Sequence, residues 1–240
     1  MDEIRDDRKR TIAQVRTLLA AHFKNVTSLR VLEAGCGSLS HFDLGPGAHV
    51  TGIDISAHQL QRNAALSERI LGDIQTYPLA ADSYDLITCW EVLEHVEHPE
   101  AALENFYRAL APGGLLVLAV PNRQSIQGLI TRYTPYWVHV WVYRHIFGKQ
   151  DAGRNDTPPF PTYIRPAIAP DRLRRFGDEH RLLPVHHEMY EDVRQKRLRA
   201  GWKLAGWRWT AFKHCVRMVS RDRCDAELTD LIMVLQKDHA

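Results

Sequence analysis

Five short apolar runs recur at near-regular intervals: "RVLEAG" (30–35), "HVTGIDI" (49–55), "RILGDI" (69–74), "YDLITCW" (84–90) and "LLVLAVP" (115–121). Runs of this length suit strands that are buried on both faces. Between them lie segments with helical signals. Ser56 is a plausible N-cap, and "PEAALENFYRALA" (99–111) starts on proline and ends at "PGG". Strands alternating with helices at this spacing imply βαβ units and a parallel sheet covered on both faces. An amphipathic helix is expected ahead of them, over residues 8–23.

After Pro121 the rhythm breaks. Residues 123–169 are expected to form a lid, because so long a connection in a compact domain is often functional. It carries Tyr133, Tyr136, Trp137, Trp141, Tyr143 and Phe147, and its second half, "NDTPPFPTYIRPAIAP", is expected to be irregular. The next clear helix is "PDRLRRFGDEH" (170–180), a sixth strand is "LLPVHHEMY" (182–190), and a last strand is "DLIMVLQK" (230–237). A chain of 240 residues fits one domain: an N-terminal helix (1–27), a ligand-binding core (28–122), the insertion (123–169) and the rest of the sheet (170–240).

The net charge of +2 selects no class of partner. No apolar run reaches the length of a membrane span, and "MDEIRDDRKR" lacks the apolar core of a signal peptide, so a cytoplasmic location is expected. The four cysteines then read as free thiols. Cys36 and Cys89 read best as small buried apolar residues.

Three stretches carry groups suited to a nucleoside. "VLEAGCGSLS" (31–40) places glycines after a strand, where the backbone can approach a ligand closely. Its third glycine, as a dinucleotide fingerprint, would fall at Ser40, which disfavours a nicotinamide dehydrogenase. Asp54, ending the second strand, can accept both hydroxyl hydrogens of a ribose. Asp73, after the third strand, can accept from an adenine amine, or can be a turn aspartate. Together these groups sit at the carboxyl ends of adjacent strands, where open α/β sheets bind ligands.

In order and spacing, "VLEAGCGSLS", "VTGIDIS", "GDI", "YDLITCWEVLEHV" and "LAPGGLLVLAVPN" resemble class I S-adenosylmethionine-dependent methyltransferases, most closely the group that includes the ubiquinone-pathway O-methyltransferases. The resemblance covers residues 28–122 well. It implies a Rossmann-like α/β fold with a seven-stranded, mostly parallel sheet whose last strand, 230–237, is antiparallel. It also implies that Glu33, Gly35 and Gly37 wrap the methionine part and ribose, that Asp54 binds the ribose, and that Asp73 lies near adenine with Ile74 packed on the ring. Cys36, Ile55 and Trp90 flank these positions and complete the expected cofactor-binding set. The family often has a third glycine where this chain has Leu39, so the course of the loop after Gly37 stays open.

"CWEVLEHVEHPE" (89–100) follows the fourth strand. If residues 91–95 form a helical turn, Glu91, Glu94 and His95 share one face. Two carboxylates and an imidazole suit Mg, Mn, Fe or Zn. The Glu-x-x-Glu-His pattern resembles the metal motif of the ubiquinone-pathway enzymes and of small-RNA 2′-O-methyltransferases. The RNA group adds a histidine from beyond the fifth strand, here His139 or His145, with His139 preferred and a packing role equally open. "LEH" is also common in metal-free relatives of this class. His95 and His139 are the candidate catalytic groups. His98, His186 and His187 read as helix-start and strand residues.

The expected activity is S-adenosylmethionine-dependent methyl transfer to an oxygen of a small-molecule acceptor, with help from a divalent metal. The aromatic insertion argues for an apolar or ring-containing acceptor. Methylation of RNA at a 2′-hydroxyl is the alternative, and a cofactor-binding regulatory subunit without turnover is a further one. Residues 191–223 hold ten Lys or Arg, three acids and Trp202, Trp207 and Trp209. That stretch fits a solvated basic helix face, a nucleic-acid contact or a membrane-surface contact.

Overall fold

A computed structural model of the chain describes residues 6–146, 148–154 and 157–239, so Phe147 of the aromatic insertion lies outside the described residues. Seven strands form one sheet: β1 (Leu29–Ala34), β2 (Ala48–Asp54), β3 (Glu68–Leu71), β4 (Tyr84–Trp90), β5 (Leu110–Pro121), β6 (Leu182–Tyr190) and β7 (Asp230–Lys237). Their spatial order is β3-β2-β1-β4-β5-β7-β6. β7 runs antiparallel to both β5 and β6, and every other pairing is parallel. The α/β architecture expected from the alternating runs is present, and the antiparallel strand is the one expected.

The central strands bury both faces, and their alternate side chains feed two cores. Leu32, Ile87, Leu116, Leu118 and Met233 pack toward α3 (Pro99–Ala109) and α6 (Pro170–Glu179), where Leu103, Phe106 and Leu173 are fully or almost fully buried. Val31, Leu86, Val117 and Val234 pack on the other face with Val15 and Leu19 of α1 (Asp7–His22). Fully burying one such side chain contributes roughly 1.5–3 kcal/mol, so both layers are needed to hold the sheet. A short helix, α2 (Ala57–Arg62), starts at Ser56, whose side chain caps the Gln59 amide at 3.2 Å.

Several boundaries differ from the sequence-based expectation, each for a local reason. β3 ends at Leu71 rather than running to 74, because the Asp73 carboxylate accepts the Gln75 amide and its carbonyl takes the Thr76 amide, closing a turn. α3 stops at Ala109, since Leu110 is extended and pairs with Tyr84. The insertion is not free of helix. It holds α4 (Ile126–Tyr133), capped by Ser125, and α5 (Tyr136–His145). Residues 148–154 and 157–165 are irregular, as expected of the second half, a 3-10 turn at Pro166–Ile168 departs from that expectation, and Asn155 and Asp156 lie outside the described residues. The basic stretch is two helices, α7 (Val193–Gly201) and α8 (Trp207–Ser220), broken where Lys203 and Gly206 adopt positive φ.

Candidate active site

The carboxyl ends of β1, β2, β3 and β4 lie side by side, and the predicted cofactor residues gather there. Gly35 has φ +67°, and a Cβ on it would come within 2.4 Å of Val92. Glycine is therefore required where the loop after β1 crosses the loop after β4. Gly37 also has positive φ, and its amide donates to Asp54 Oδ2 at 2.9 Å. The Ser56 amide donates to Asp54 Oδ1 at 2.8 Å. A carboxylate has about four acceptor positions, so half of this one's capacity is left over.

Glu33 is buried at 4% exposure and accepts from the Ser40 hydroxyl at 2.6 Å. Burial raises its pKa, and the Ser40 bond partly offsets this. The open question about the loop after Gly37 is thus answered. Leu39 points to solvent, and Ser40 folds back to brace Glu33. Cys36 is buried against Leu60 and Leu66, and its thiol is pushed up to about 12 by burial and by the nearby Asp54 and Glu33 charges. It is a packing residue with an unreactive thiol, as is the fully buried Cys89, whose thiol is raised for the same first reason.

The Asp73 carboxylate is engaged by the Gln75 amide and side chain, with bonds of 2.8–2.9 Å. Ile74 is buried in the core under α3. The apolar surface open at this edge belongs to Ile55 and Leu71, 77% and 62% exposed at the ends of neighbouring strands. Leu71 was not among the predicted site residues. Trp90 is buried, stacked on His41 at 5.1 Å and edge-on to Phe42 at 5.6 Å, and its Nε1 has no partner among the described residues.

The stretch after β4 departs from the expected helical turn. Glu91 has φ +55°, and only Leu93–His95 makes a short 3-10 turn. Glu91 and Glu94 therefore do not share a helix face. The Glu91 carboxylate pairs with Arg8 of α1 at 2.8 Å. Glu94 is buried, with one carboxylate oxygen unpartnered, and its pKa is pushed up to about 8 by burial and by the Glu91 and Asp230 charges. His95 Nδ1 bonds the Pro161 carbonyl at 2.7 Å. His139 Nε2 is held by Thr134, 2.8 Å from its hydroxyl and 3.2 Å from its carbonyl. Among the described residues no three His, Cys, Asp or Glu side chains are grouped to hold a metal. Glu91 is held by Arg8 and His139 by Thr134, while Glu94 keeps one unpartnered oxygen and His95 its Nε2, so the four expected donors are not drawn together around one ion, and no chemical step is routed through a metal.

Sequence reading missed three groups here. Asp230 opens β7 beside Pro121 and Tyr190, accepts from the Thr229 hydroxyl at 2.6 Å, and has its pKa raised to about 7, first by burial. Tyr190 is buried, and burial with the Asp230 charge raises its phenol pKa. Arg8 comes from the far end of the sequence. Only chain topology brings these groups to Glu91 and Glu94. Their sequence signal was an acid at a strand start and a tyrosine at a strand end, which is common.

Comparison with known proteins gives independent findings. A family described as "Methyltransferase domain" matches residues 4–151, more than half of the chain. A ubiquinone biosynthesis O-methyltransferase of Psychrobacter cryohalolentis is 39% identical over 106 residues, covering 39% of this chain and 41% of that protein. The enzyme of the same name from Erwinia tasmaniensis is 36% identical over 117 residues, covering 45% and 48%. The chain thus spans less than half the length of either relative. A crystal structure of an S-adenosylmethionine-dependent methyltransferase from Archaeoglobus fulgidus superposes with a TM-score of 0.53 at 17% identity, covering 96% of this chain and 94% of that one. That likeness concerns the fold.

Proposed function

The chain belongs to the methyltransferase domain family, and from that premise we propose that it transfers a methyl group from S-adenosylmethionine to an oxygen of a small-molecule acceptor. The observation that carries the reading is Asp54. Its carboxylate fixes the glycine loop and the start of α2 through two amides, and it keeps acceptor capacity for two ribose hydroxyls. Gly35 lets the backbone cross close to β4, Glu33 backs the loop from beneath, and Ile55 and Leu71 offer apolar surface to an adenine ring. The unpartnered Trp90 Nε1 is a buried donor beside the same loop. The oxygen acceptor rests on the names of the partial relatives.

The sulfonium supplies an already activated methyl group. The protein's share is to hold the acceptor oxygen in line and take its proton. His95 is suited to the second task. With Nδ1–H donating to the Pro161 carbonyl, the neutral ring keeps an unprotonated Nε2. Burial lowers its pKa, so the ring is a free base at neutral pH. The test measures S-adenosylhomocysteine release with a panel of phenols and catechols. His95→Asn is expected to lower kcat by about a hundredfold or more and leave cofactor affinity in place. A chelator is expected to leave the rate unchanged. Full activity of His95→Asn on the best acceptor would remove His95 as the base, and loss of turnover on chelation would restore the metal reading.

A further inference from the structure

The helices between β6 and β7 are tied to the body along one side only. Lys196 pairs with Asp7, Arg199 with Glu191, and Lys213 with Glu227. Gln195 donates to the Ala226 carbonyl at 2.9 Å, and the buried Trp209 donates its indole N–H to Glu227 at 3.2 Å. The rest faces water. Trp202 is 74% exposed, Trp207 77%, Met218 75% and Val219 81%, with Leu198 also exposed. Arg194, Arg197, Lys203, Arg208 and Arg221 are exposed and pair with no acid among the described residues. Residues 193–221 contain nine Lys or Arg and no Asp or Glu. Arg217 is also exposed and pairs with Asp222 just beyond α8 at 2.9 Å, whereas the other paired basic residues are turned inward.

We propose that α7 and α8 form a docking surface for an anionic lipid bilayer. Interfacial helices combine tryptophan and aliphatic side chains, which enter the headgroup–acyl boundary, with basic side chains that meet anionic headgroups. A nucleic acid would use the arginines and tryptophans, but Leu198, Met218 and Val219 offer nothing to phosphate or bases, whereas a bilayer buries them. The insertion joins this unit at its base. The Ile126 amide donates to the Asp225 carbonyl at 3.1 Å, and Ser125 bridges Asp225, so α4 springs from the segment that ends the α7–α8 unit. Tyr133, Trp137, Trp141 and Ile146 are exposed there, and residues 123–150 carry four Lys or Arg and no acid. No helix among the described residues is long and apolar enough to cross a membrane, so the contact is one of lying on it. This proposal goes beyond methyl transfer and does not depend on it.

The test is co-sedimentation of the full chain with phosphatidylcholine vesicles, with and without an equal part of phosphatidylglycerol. Binding is expected only to the anionic vesicles, with a blue shift of tryptophan emission, and is expected to weaken as salt is raised. Replacing Trp202 and Trp207 together by serine should weaken binding at least about tenfold. Arg197→Gln with Arg208→Gln should weaken it about fivefold per charge. All four positions are exposed, and unchanged circular dichroism verifies that the variants fold. Equal recovery with neutral and anionic vesicles would overturn the proposal, as would unaltered binding by both double variants. So would preferential capture of a single-stranded RNA oligonucleotide in competition with the vesicles, or a lipid-independent dimer that the tryptophan replacements abolish.

Discussion

Glu94 and Asp230 are buried carboxyls that hold their protons up to about pH 8 and about pH 7. An unfolded carboxyl ionises near pH 4. Between those limits the native state binds more protons than the unfolded state, so stability falls as pH rises from about 4 toward 8. Glu94→Gln and Asp230→Asn remove that loss. Each variant's melting advantage over the parent is expected to grow from pH 5 to pH 8, by roughly 2–4 °C per kcal/mol recovered. Thermal melts at the two pH values check this, and an advantage that does not grow with pH would contradict it. Legibility in the sequence was uneven among these residues. Asp54 ends β2 and the glycine loop directly follows β1, so both could be picked out by strand-end position. Glu91 could not be read the same way. Its φ of +55° and its pairing with Arg8 depend on how α1 lies across the sheet edge.

Elements that bury side chains were the readable ones. β4 and β7 coincide with their expected apolar runs, and β6 also has its expected bounds although only Leu182 and Tyr190 of it are buried. α4 and α5 were hidden because helix and core signals disagree there. "YWVHVWVYRH" is rich in residues that favour strands, and α5 buries none of its side chains. The far end of the insertion is better anchored. The Tyr163 and Ile164 amides donate to the Glu94 carbonyl at 2.8 and 3.2 Å, and Arg123 Nε donates to the Ile164 carbonyl at 3.0 Å. A lid over residues 123–165 would therefore move as a flap pinned at both ends, with α5 as its loose part. Hydrogen exchange is expected to be fast across Tyr136–His145 and slow at Tyr163 and Ile164, and cofactor product should protect the former. If α5 is as protected as β5 in the absence of cofactor, the lid reading fails.

At the scale of the whole molecule, the alternating runs determine the sheet, the sheet's parallel strands place their carboxyl ends together, and that edge gathers the glycine loop, Asp54, Ile55, Leu71 and Trp90. The side proposed to receive the acceptor is built differently, from α1, the insertion and the start of β7, which have no fixed spacing in the sequence. For that reason the strand-end residues proposed to hold the cofactor could be picked out before the structure, while the expected metal donors are not drawn together among the described residues. The central claim is that Asp54 holds the ribose of S-adenosylmethionine at this edge. Two charge-assisted hydrogen bonds of about 1.5–3 kcal/mol each make the loss of that carboxylate worth at least about a hundredfold in affinity. Isothermal titration of S-adenosylmethionine into the parent chain and Asp54→Ala, each confirmed folded by its thermal melt, tests this most directly. The account predicts one site per chain and a loss of about a hundredfold or more in the variant, whereas equal affinity in both, or no binding by the parent, would contradict it.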